Sequence, residues 1–259
     1  MKHQGIGTRL LSLLFPRVCA LCQAPSPDGD LCAECRRKYA AGTFLRCPIC
    51  RKTADRCLCG VDFPSSSRTT IAGRPFLALN FYIPADRLGE EHADRVTERM
   101  ILDLKRRGTY AEFFAGDCAR QLGLLLEEAG EQPRDWIFTY APRSPEKFAE
   151  VGFDQGEEVG RRAAKLLGCP FVRTLARASS SEEQKSLGAA ERRENAREGL
   201  LPRRRSISDG GRYLLFDDII TTGSTVKAAA EILYEAGAAD VFPVALARTY
   251  PLSSAHPDR

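Results

Sequence analysis

The sequence predicts an α/β fold in which a parallel sheet is flanked by helices and preceded by a small cysteine-rich domain. Three observations predict it. Apolar runs of strand length alternate with helical patterns from residue 76 onward. One of those runs, Tyr213–Phe216, leads through two acids into a short hydroxylated turn and a further helical pattern. Eight of the ten cysteines lie within residues 19–59.

The cysteine-rich part comes first along the chain. We expect residues 1–60 to form this domain behind a short N-terminal helix, 61–75 a linker, 76–250 the α/β domain and 251–259 a tail. No apolar run approaches the roughly 20 residues of a membrane helix, and no secretory signal core is visible at the N-terminus. We therefore expect a cytoplasmic protein without membrane insertion.

The clustered cysteines are paired in sequence, and each pair can supply half of a tetrahedral metal site. Four pairs predict two structural zinc sites without an open position for water. The alternative, a disulfide framework, needs an oxidising compartment that nothing in the sequence indicates. The eight predicted ligands are Cys19, Cys22, Cys32, Cys35, Cys47, Cys50, Cys57 and Cys59.

The grouping of these pairs has two solutions. Sequential pairing assigns the four cysteines of residues 19–35 to one ion and those of residues 47–59 to the other, as in a double zinc ribbon. Interleaved pairing would join the first pair to the third. We favour sequential pairing, because the intervening loops are short enough to close locally. Cys118 and Cys169 stand alone in apolar surroundings and are predicted to be core residues.

The cysteine-rich front is basic. Residues 1–75 contain 12 Lys and Arg against 5 Asp and Glu, a net charge of +7 that falls to +3 when two four-thiolate zinc sites are counted. Such a surface suits a polyanion, here single-stranded DNA, with Tyr39 and Phe44 as stacking faces. The alternative is that the cations only keep a small domain soluble. The candidate contacts are Arg36, Arg37, Lys38, Arg51 and Lys52.

The α/β part is predicted from apolar periodicity. Helices show one apolar face, as at Val96, Met100, Ile101 and Leu104, and glycines such as Gly108 and Gly237 separate or end them. The predicted helices are Ala93–Arg107, Ala111–Ala129, Gln155–Leu167 and Thr225–Ala236. The predicted strands are Phe76–Ile83, Trp136–Ala141, Phe171–Leu175, Tyr213–Phe216 and Val241–Ala247. Residues 176–212 fit no regular element well throughout. They are either a solvated charged face or disordered insert, or a lid over the following strand.

The most specific stretch begins at Tyr213, reads Y-L-L-F-D-D-I-I-T-T-G-S-T and ends at Thr225. A buried strand would deliver Asp217 and Asp218 to a sheet edge, and the turn Thr221–Thr225 would aim amides, hydroxyls and a helix N-terminus at a phosphate. The pair of carboxylates can accept hydrogen bonds from sugar hydroxyls. An ordinary turn with a capping threonine explains one hydroxyl and leaves the two acids unexplained, so the stretch predicts a phosphosugar site.

This stretch resembles the phosphoribosyl diphosphate (PRPP) signature of type I phosphoribosyltransferases. The order of the other motifs narrows the resemblance to the ComF family, whose members join a zinc-binding N-terminus to a phosphoribosyltransferase domain. Before the PRPP signature come the paired cysteines, the basic Leu104–Gly108, the Gly152–Gln155 motif and a Gln184-x2-Leu187-x3-Glu191-Arg192-x2-Asn195 pattern.

The resemblance implies where PRPP would bind. Its 5-phosphate would lie on Thr221, Thr222, Gly223, Ser224 and Thr225. Its ribose hydroxyls would lie on Asp217 and Asp218, which would also stabilise positive charge on the reacting sugar. Magnesium would accompany PRPP, and Lys105 and Arg143 would bind its anionic groups. This chain has Ala149 and Val151 where the family commonly has arginines, and Asp154 where it usually has asparagine; Lys147 is kept.

Two functions are compatible with the resemblance. The first is a phosphoribosyltransferase acting on PRPP or a phosphoribosylated nucleotide, in DNA uptake during natural competence or in nucleotide metabolism, with DNA-uptake proteins as partners. The second is a non-catalytic protein that binds single-stranded DNA and uses the phosphoribosyl site to sense a ligand.

Overall fold

A computed structural model describes residues 17–26, 31–41, 68–71, 74–82, 96–178 and 199–249 of the chain. Its helices are α1 (Ala33–Ala41), α2 (Val96–Arg107), α3 (Ala111–Glu128), α4 (Pro145–Val151), α5 (Gln155–Leu167) and α6 (Ser224–Glu235). Its strands are β1 (Arg68–Ile71), β2 (Arg74–Tyr82), β3 (Ile137–Tyr140), β4 (Leu175–Arg177), β5 (Leu200–Pro202), β6 (Arg212–Ile220) and β7 (Asp240–Thr249).

The main sheet has five strands in the order β1-β2-β7-β6-β3. Strands β2, β7, β6 and β3 run parallel, and β1 pairs antiparallel with β2 at one edge. Strands β4 and β5 form a separate two-stranded antiparallel ribbon. The predicted α/β fold with a parallel sheet is confirmed.

Both faces of the sheet are covered by helices. Alternate strand residues such as Leu214 and Phe216 pack with α2, α3 and α5 in one apolar cluster. Their neighbours Tyr213 and Leu215 pack with α6 in a second cluster. The alternation follows from the two-residue period of a strand. Cys118 and Cys169 lie buried in the first cluster, as predicted.

Several elements differ from the prediction. Helix α4 was not predicted, and strands β4 and β5 lie partly or wholly within residues 176–212, which were predicted to hold no regular element. Residues Phe171–Leu175 are not a strand: Phe171 makes a single parallel bridge to Phe138, and β4 begins only at Leu175. The departure coincides with Thr174, whose hydroxyl turns inward to the Thr139 hydroxyl at 2.6 Å. Strand β1 lies within the predicted linker. Strand β6 continues to Ile220, because β7 pairs with it along that whole length, so the two aspartates belong to the strand.

The cysteine-rich segment packs against the α/β part. The Tyr39 hydroxyl of α1 donates to Asp117 Oδ2 on α3 at 2.8 Å, and its ring meets Phe113 edge-on with centroids 4.9 Å apart. Only 5% of Tyr39 is exposed. The prediction that Tyr39 offers a stacking face to DNA is therefore wrong, because its ring is part of the core; Phe44 lies outside the described residues.

Candidate functional site

A polar cavity of about 360 Å³ opens at the carboxyl edge of the sheet. The segments that follow β3 and end β6 both reach this edge, because parallel strands end on the same side. Its lining combines two carboxylates with four cationic side chains. The lining residues are Lys105, Ala141, Pro142, Arg143, Ser144, Lys147, Gln155, Arg177, Asp217, Asp218, Ile219 and Thr225.

Asp218 is held by two donors from different parts of the fold. The Lys105 ammonium at the end of α2 lies 3.3 Å from Asp218 Oδ2. The Gln155 amide nitrogen, at the start of α5, donates a hydrogen bond to the same oxygen. Two contacts from outside strand β6 therefore hold the Asp218 side chain in place.

Asp217 has a different environment. Burial first, and then the negative charge of neighbouring Asp218, raise the pKa of Asp217 to about 8. Its Oδ1 accepts a hydrogen bond from the Asp218 backbone N–H at 2.8 Å. Adjacent strand residues point to opposite faces, so Asp217 follows Leu215 towards α6 and Asp218 follows Phe216 towards α5. The two acids therefore approach the cavity from different sides.

The turn before α6 has the geometry of an anion-binding site. Gly223 adopts φ 76°, a left-handed conformation that favours glycine, and α6 begins at the next residue. The N-cap residue Gly223 makes no side-chain cap, and the Ser224 amide donates a long hydrogen bond of 3.4 Å to Thr222 Oγ1. The hydroxyl oxygens of Thr222 and Ser224 lie 3.0 Å apart. Helix amides beside hydroxyls suit a phosphate group.

Asp154 acts as the N-cap of α5. Its carboxylate accepts hydrogen bonds from the backbone amides of Gly156 at 2.8 Å and Arg143 at 2.7 Å. Burial raises the pKa of Asp154, against these hydrogen bonds. The Asp154 carboxylate therefore accepts hydrogen bonds from backbone amides of the protein itself. The aspartate that replaces the family's usual asparagine is therefore no obstacle to an anionic ligand.

Arg143 reaches the cavity while holding the end of α2. Both of its terminal nitrogens donate to the Lys105 carbonyl oxygen, at 3.3 and 3.4 Å. Its guanidinium lies 6.0 Å from the centre of the Phe153 ring, within reach of a cation–π contact. Arg143 thus fixes the position of Lys105 as well as adding positive charge.

The structure brings five of the residues predicted for the phosphosugar into the cavity lining: Lys105, Arg143, Asp217, Asp218 and Thr225. Thr221, Thr222, Gly223 and Ser224 form the adjoining turn and are not part of that lining. Sequence reasoning missed Gln155 and Arg177 as site residues. Gln155 ends the Gly-Phe-Asp-Gln motif, which could have identified it; nothing in the sequence around Arg177 points to the cavity.

A second candidate site, for a metal, lies in the cysteine-rich segment. The sulfurs of Cys19, Cys22, Cys32 and Cys35 all lie within 4.8 Å of one another, and those of Cys22 and Cys32 are 3.6 Å apart. A tetrahedral zinc site with Zn–S bonds of about 2.3 Å needs sulfurs about 3.8 Å apart. The four cysteines therefore fit a zinc ion, in the grouping that sequential pairing predicts.

Local structure explains how these sulfurs meet. Arg17–Ser26 folds back on itself, with a bridge between Val18 and Pro25, and places the first pair at its tip. Cys32 and Cys35 lie at the N-terminus of α1, whose dipole favours thiolates. The other four predicted ligands, Cys47, Cys50, Cys57 and Cys59, lie outside the described residues.

The thiols of this cluster differ in acidity. Burial acts to raise the pKa of Cys19, but hydrogen bonds from nearby backbone amides, that of Cys32 foremost, lower it to about 6. Burial and the neighbouring thiols raise the pKa of Cys35. Cys19 is therefore more easily ionised than Cys35, and Cys35 must lose its proton as the metal binds.

Comparisons with known proteins agree with this geometry. The phosphoribosyl transferase domain model matches residues 154–255. DNA utilization protein YhgH of Salmonella typhimurium (strain LT2) is 33% identical over 247 residues, which cover 92% of this chain and 99% of that protein. Competence protein ComFC of Streptococcus pneumoniae is 31% identical over 125 residues, 48% of this chain and 53% of that protein.

Among solved structures, adenine phosphoribosyltransferase of Saccharomyces cerevisiae superposes with a TM-score of 0.35 at 21% identity, over 52% of this chain and 68% of that one. No helix in the described part of the chain has the length and apolar character of a membrane span. The match to YhgH extends over almost the full length of both proteins. With its phosphoribosyltransferase domain and its cysteine cluster, the chain belongs to the ComF family.

Proposed function

We propose that this protein binds PRPP at the carboxyl edge of the sheet and transfers its phosphoribosyl group. The observation that carries the proposal is the pairing, in one cavity, of two carboxylates with the cations Lys105, Arg143, Lys147 and Arg177. A sugar needs the acids and a diphosphate needs the cations, so a ligand that contains both accounts for the whole lining.

The turn Thr221–Thr225 would hold the 5-phosphate through backbone amides and hydroxyls. Asp217 and Asp218 would accept hydrogen bonds from the ribose. As the bond from the anomeric carbon to the diphosphate breaks, its electron pair leaves with the diphosphate and positive charge grows on the ring. The two carboxylates stabilise that charge, and the cations stabilise the leaving group. The nucleophile's lone pair forms the new bond, and its proton passes to solvent.

Magnesium fits one of the two acids better than the other. Carboxylate and phosphate oxygens are its preferred ligands. Asp218 already has the Lys105 ammonium beside it, which repels a second cation. Asp217 lines the same cavity and forms no salt bridge among the described contacts, so it would hold the ion; when bound, magnesium neutralises part of the diphosphate charge.

The second cysteine set, at residues 47–59, would hold a second zinc ion.

We expect binding of PRPP with magnesium to release a proton at pH 7. Below about pH 8 the Asp217 carboxyl is largely protonated, and a nearby cation favours its ionised form. Calorimetric titrations in two buffers of different ionisation enthalpy measure the release. It should fade above about pH 9, where Asp217 is already ionised, and be absent in Asp217→Asn. Equal binding enthalpies in the two buffers at pH 7 would mean that no proton is released, and would contradict this role of Asp217.

We also propose that the protein acts in DNA uptake or DNA utilization, because its relatives carry the names competence protein and DNA utilization protein. The basic front would contact single-stranded DNA. Arg36 is poorly placed for this, since it donates to the Leu31 carbonyl and lies over the Phe113 ring. Arg37 is exposed and pairs only locally with Glu34 among the described contacts.

Arg37→Glu is expected to weaken binding of an oligothymidine and to lower the log–log salt slope by about 0.7 for each lost phosphate contact. Arg162→Glu is the matched control, because Arg162 also forms an exposed local pair, with Glu158 on α5. Fluorescence anisotropy at several salt concentrations measures both. Equal weakening by the two variants would show that only net charge matters, and no binding by the wild type would remove the DNA contact altogether.

A further inference from the structure

A row of arginines follows the two-stranded ribbon of β4 and β5, outside the edge strand β3. Phe171 bridges Phe138 of β3, so the chain that leads into the ribbon continues this edge of the main sheet. Arg177 of β4 lines the cavity, and the Arg203 backbone amide donates to the Thr174 carbonyl at 2.7 Å. The row, here called the ribbon arginines, consists of Arg173, Arg177, Arg203, Arg204 and Arg205.

Little of this positive charge is neutralised within the protein. Arg173 shares the Glu157 carboxylate with Arg161 of α5, so two guanidinium groups face one negative charge there. The other four ribbon arginines form no ion pair within the described ranges. Exposed cations without acidic partners attract anionic ligands, and the planar guanidinium group pairs well with phosphate.

Three guanidinium groups from different elements converge on the Tyr140 phenol. Burial foremost raises the pKa of Tyr140, while the positive charges of Arg173, Arg203 and Arg161 act in the opposite direction. The phenol itself donates to Glu157 at 3.1 Å. Helix α5, the segment before β4 and the segment after β5 therefore bring their cations to one surface.

The arrangement is linear, which suits a polymer better than a small anion. Arg177 lies at the cavity end of the ribbon and Arg203 follows its other end, about 10 Å away at 3.3 Å per strand residue. Arg204 and Arg205 continue the row in the short helical turn before β6. The repeating phosphates of a nucleic acid match such a row, whereas one phosphate or diphosphate would occupy only part of it.

One exposed apolar side chain lies beside these cations. Leu201 of β5 is 50% exposed. It precedes Arg203 by two positions, the spacing at which strand residues share a face. A single strand can lay an unstacked base against such a side chain, whereas a duplex keeps its bases stacked inside. The surface therefore fits a single strand better than a duplex.

We propose that the ribbon arginines form a contact surface for single-stranded nucleic acid on the α/β domain, with one end at the cavity. This surface lies on a different part of the molecule from the contact proposed for the cysteine-rich front, and it does not depend on phosphoribosyl transfer. Phosphates lie against the guanidinium groups and a base lies against Leu201. Contacts of this kind position a strand without reading its sequence.

The test measures fluorescence anisotropy of a labelled oligothymidine with the full-length, zinc-loaded protein at several salt concentrations. Arg203→Gln with Arg204→Gln removes two charges and breaks no ion pair among the described contacts. Two lost phosphate contacts should lower the log–log salt slope by about 1.4 and the affinity at 0.1 M salt by about 25-fold. Affinity for PRPP should stay unchanged, because neither side chain lines the cavity.

Arg120→Gln with Lys227→Gln is the matched control. It removes the same number of charges from exposed side chains that pair locally, on α3 and α6. Its affinity for oligothymidine should stay close to that of the wild type. Leu201→Ser should weaken binding of oligothymidine without changing the salt slope, and it should leave binding of a duplex unchanged. Oligouridine should bind about as tightly as oligothymidine, because phosphate contacts do not distinguish the two sugars.

The other outcomes overturn the proposal. Equal weakening by the two double variants would mean that net charge alone governs binding. Weakening by Arg37→Glu but not by the ribbon variant would assign the strand to the cysteine-rich front. Tighter binding to vesicles of anionic phospholipid than to oligothymidine, lost in the ribbon variant, would identify a membrane as the partner. A wild type that binds PRPP but no oligonucleotide overturns this inference and leaves the phosphosugar site standing, whereas one that binds oligothymidine but not PRPP overturns only the transferase proposal.

Discussion

Replacing Asp217 and Asp218 together by asparagine is expected to lower PRPP affinity on the order of 10³-fold, since each lost hydrogen bond to a charged group costs about 1.5–3 kcal/mol. Both acids line the cavity and carry its only carboxylates among the described residues. Calorimetric titration with PRPP and magnesium measures the loss. Asp240→Asn is the control, because Asp240 begins β7 at the opposite end of the sheet and pairs there with Arg212. Unchanged affinity in the double variant would mean that the acids have another purpose.

The same double variant should fold, and its stability should respond differently to pH. In the wild type the folded-state pKa of Asp217 is raised to about 8, so its contribution to stability is present below the unfolded pKa of about 3.9 and is lost as pH rises through 8. Asparagine cannot ionise. Melting temperatures measured from pH 5 to 9 should therefore fall more in the wild type than in the variant.

Replacing Cys35 by serine is expected to remove one zinc ion and to lower the melting temperature by roughly 10 °C, the effect of a few kcal/mol in a chain of this size. Structural zinc contributes about 10 kcal/mol or more to small metal domains, and Cys35 lies in the same apolar cluster as the core of the α/β part. Elemental analysis should find two zinc ions in the wild type and one in the variant.

Cys118→Ser provides the control for this prediction. Cys118 is also fully buried in that cluster, so serine should destabilise the protein by leaving a hydroxyl in apolar surroundings. It should leave the zinc content unchanged. A Cys35→Ser variant with full zinc content, or a wild type with no zinc when purified without chelator, would contradict the assignment.

The parts that sequence could predict are local ones. Tyr213–Thr225 is a continuous stretch whose strand, acids and turn follow one another, so its pattern already specified the order strand, carboxylates, anion turn. The Cys19–Cys35 cluster was accessible for the same reason, because two close pairs need only a short loop to meet. Helix α5 begins and ends at the predicted residues, as its apolar face and the adjoining glycines indicated.

The parts that sequence could not predict depend on distant contacts. Lys105 and Asp218 are 113 positions apart, and only the packing of α2 against the sheet brings them to 3.3 Å. Tyr39 follows three basic residues, and this local sequence does not indicate whether its ring faces solvent or packs on α3. The end of β6 was set by its partner β7, which stays paired as far as Ile220, and a strand's own residues carry little information about how long its neighbour runs.

The docking of α1 on α3 bears on whether the two regions are separable pieces. Tyr39 fills a place between Phe113 and Phe114 and hydrogen-bonds Asp117. A chain shortened to begin after residue 41 would expose the rings of Phe113 and Phe114. It would also remove the hydrogen bond that the Tyr39 hydroxyl donates to the Asp117 carboxylate. Such a truncation would be prone to aggregation. The cysteine-rich front therefore contributes to the core of the α/β domain and is not a separate module that could be exchanged between proteins.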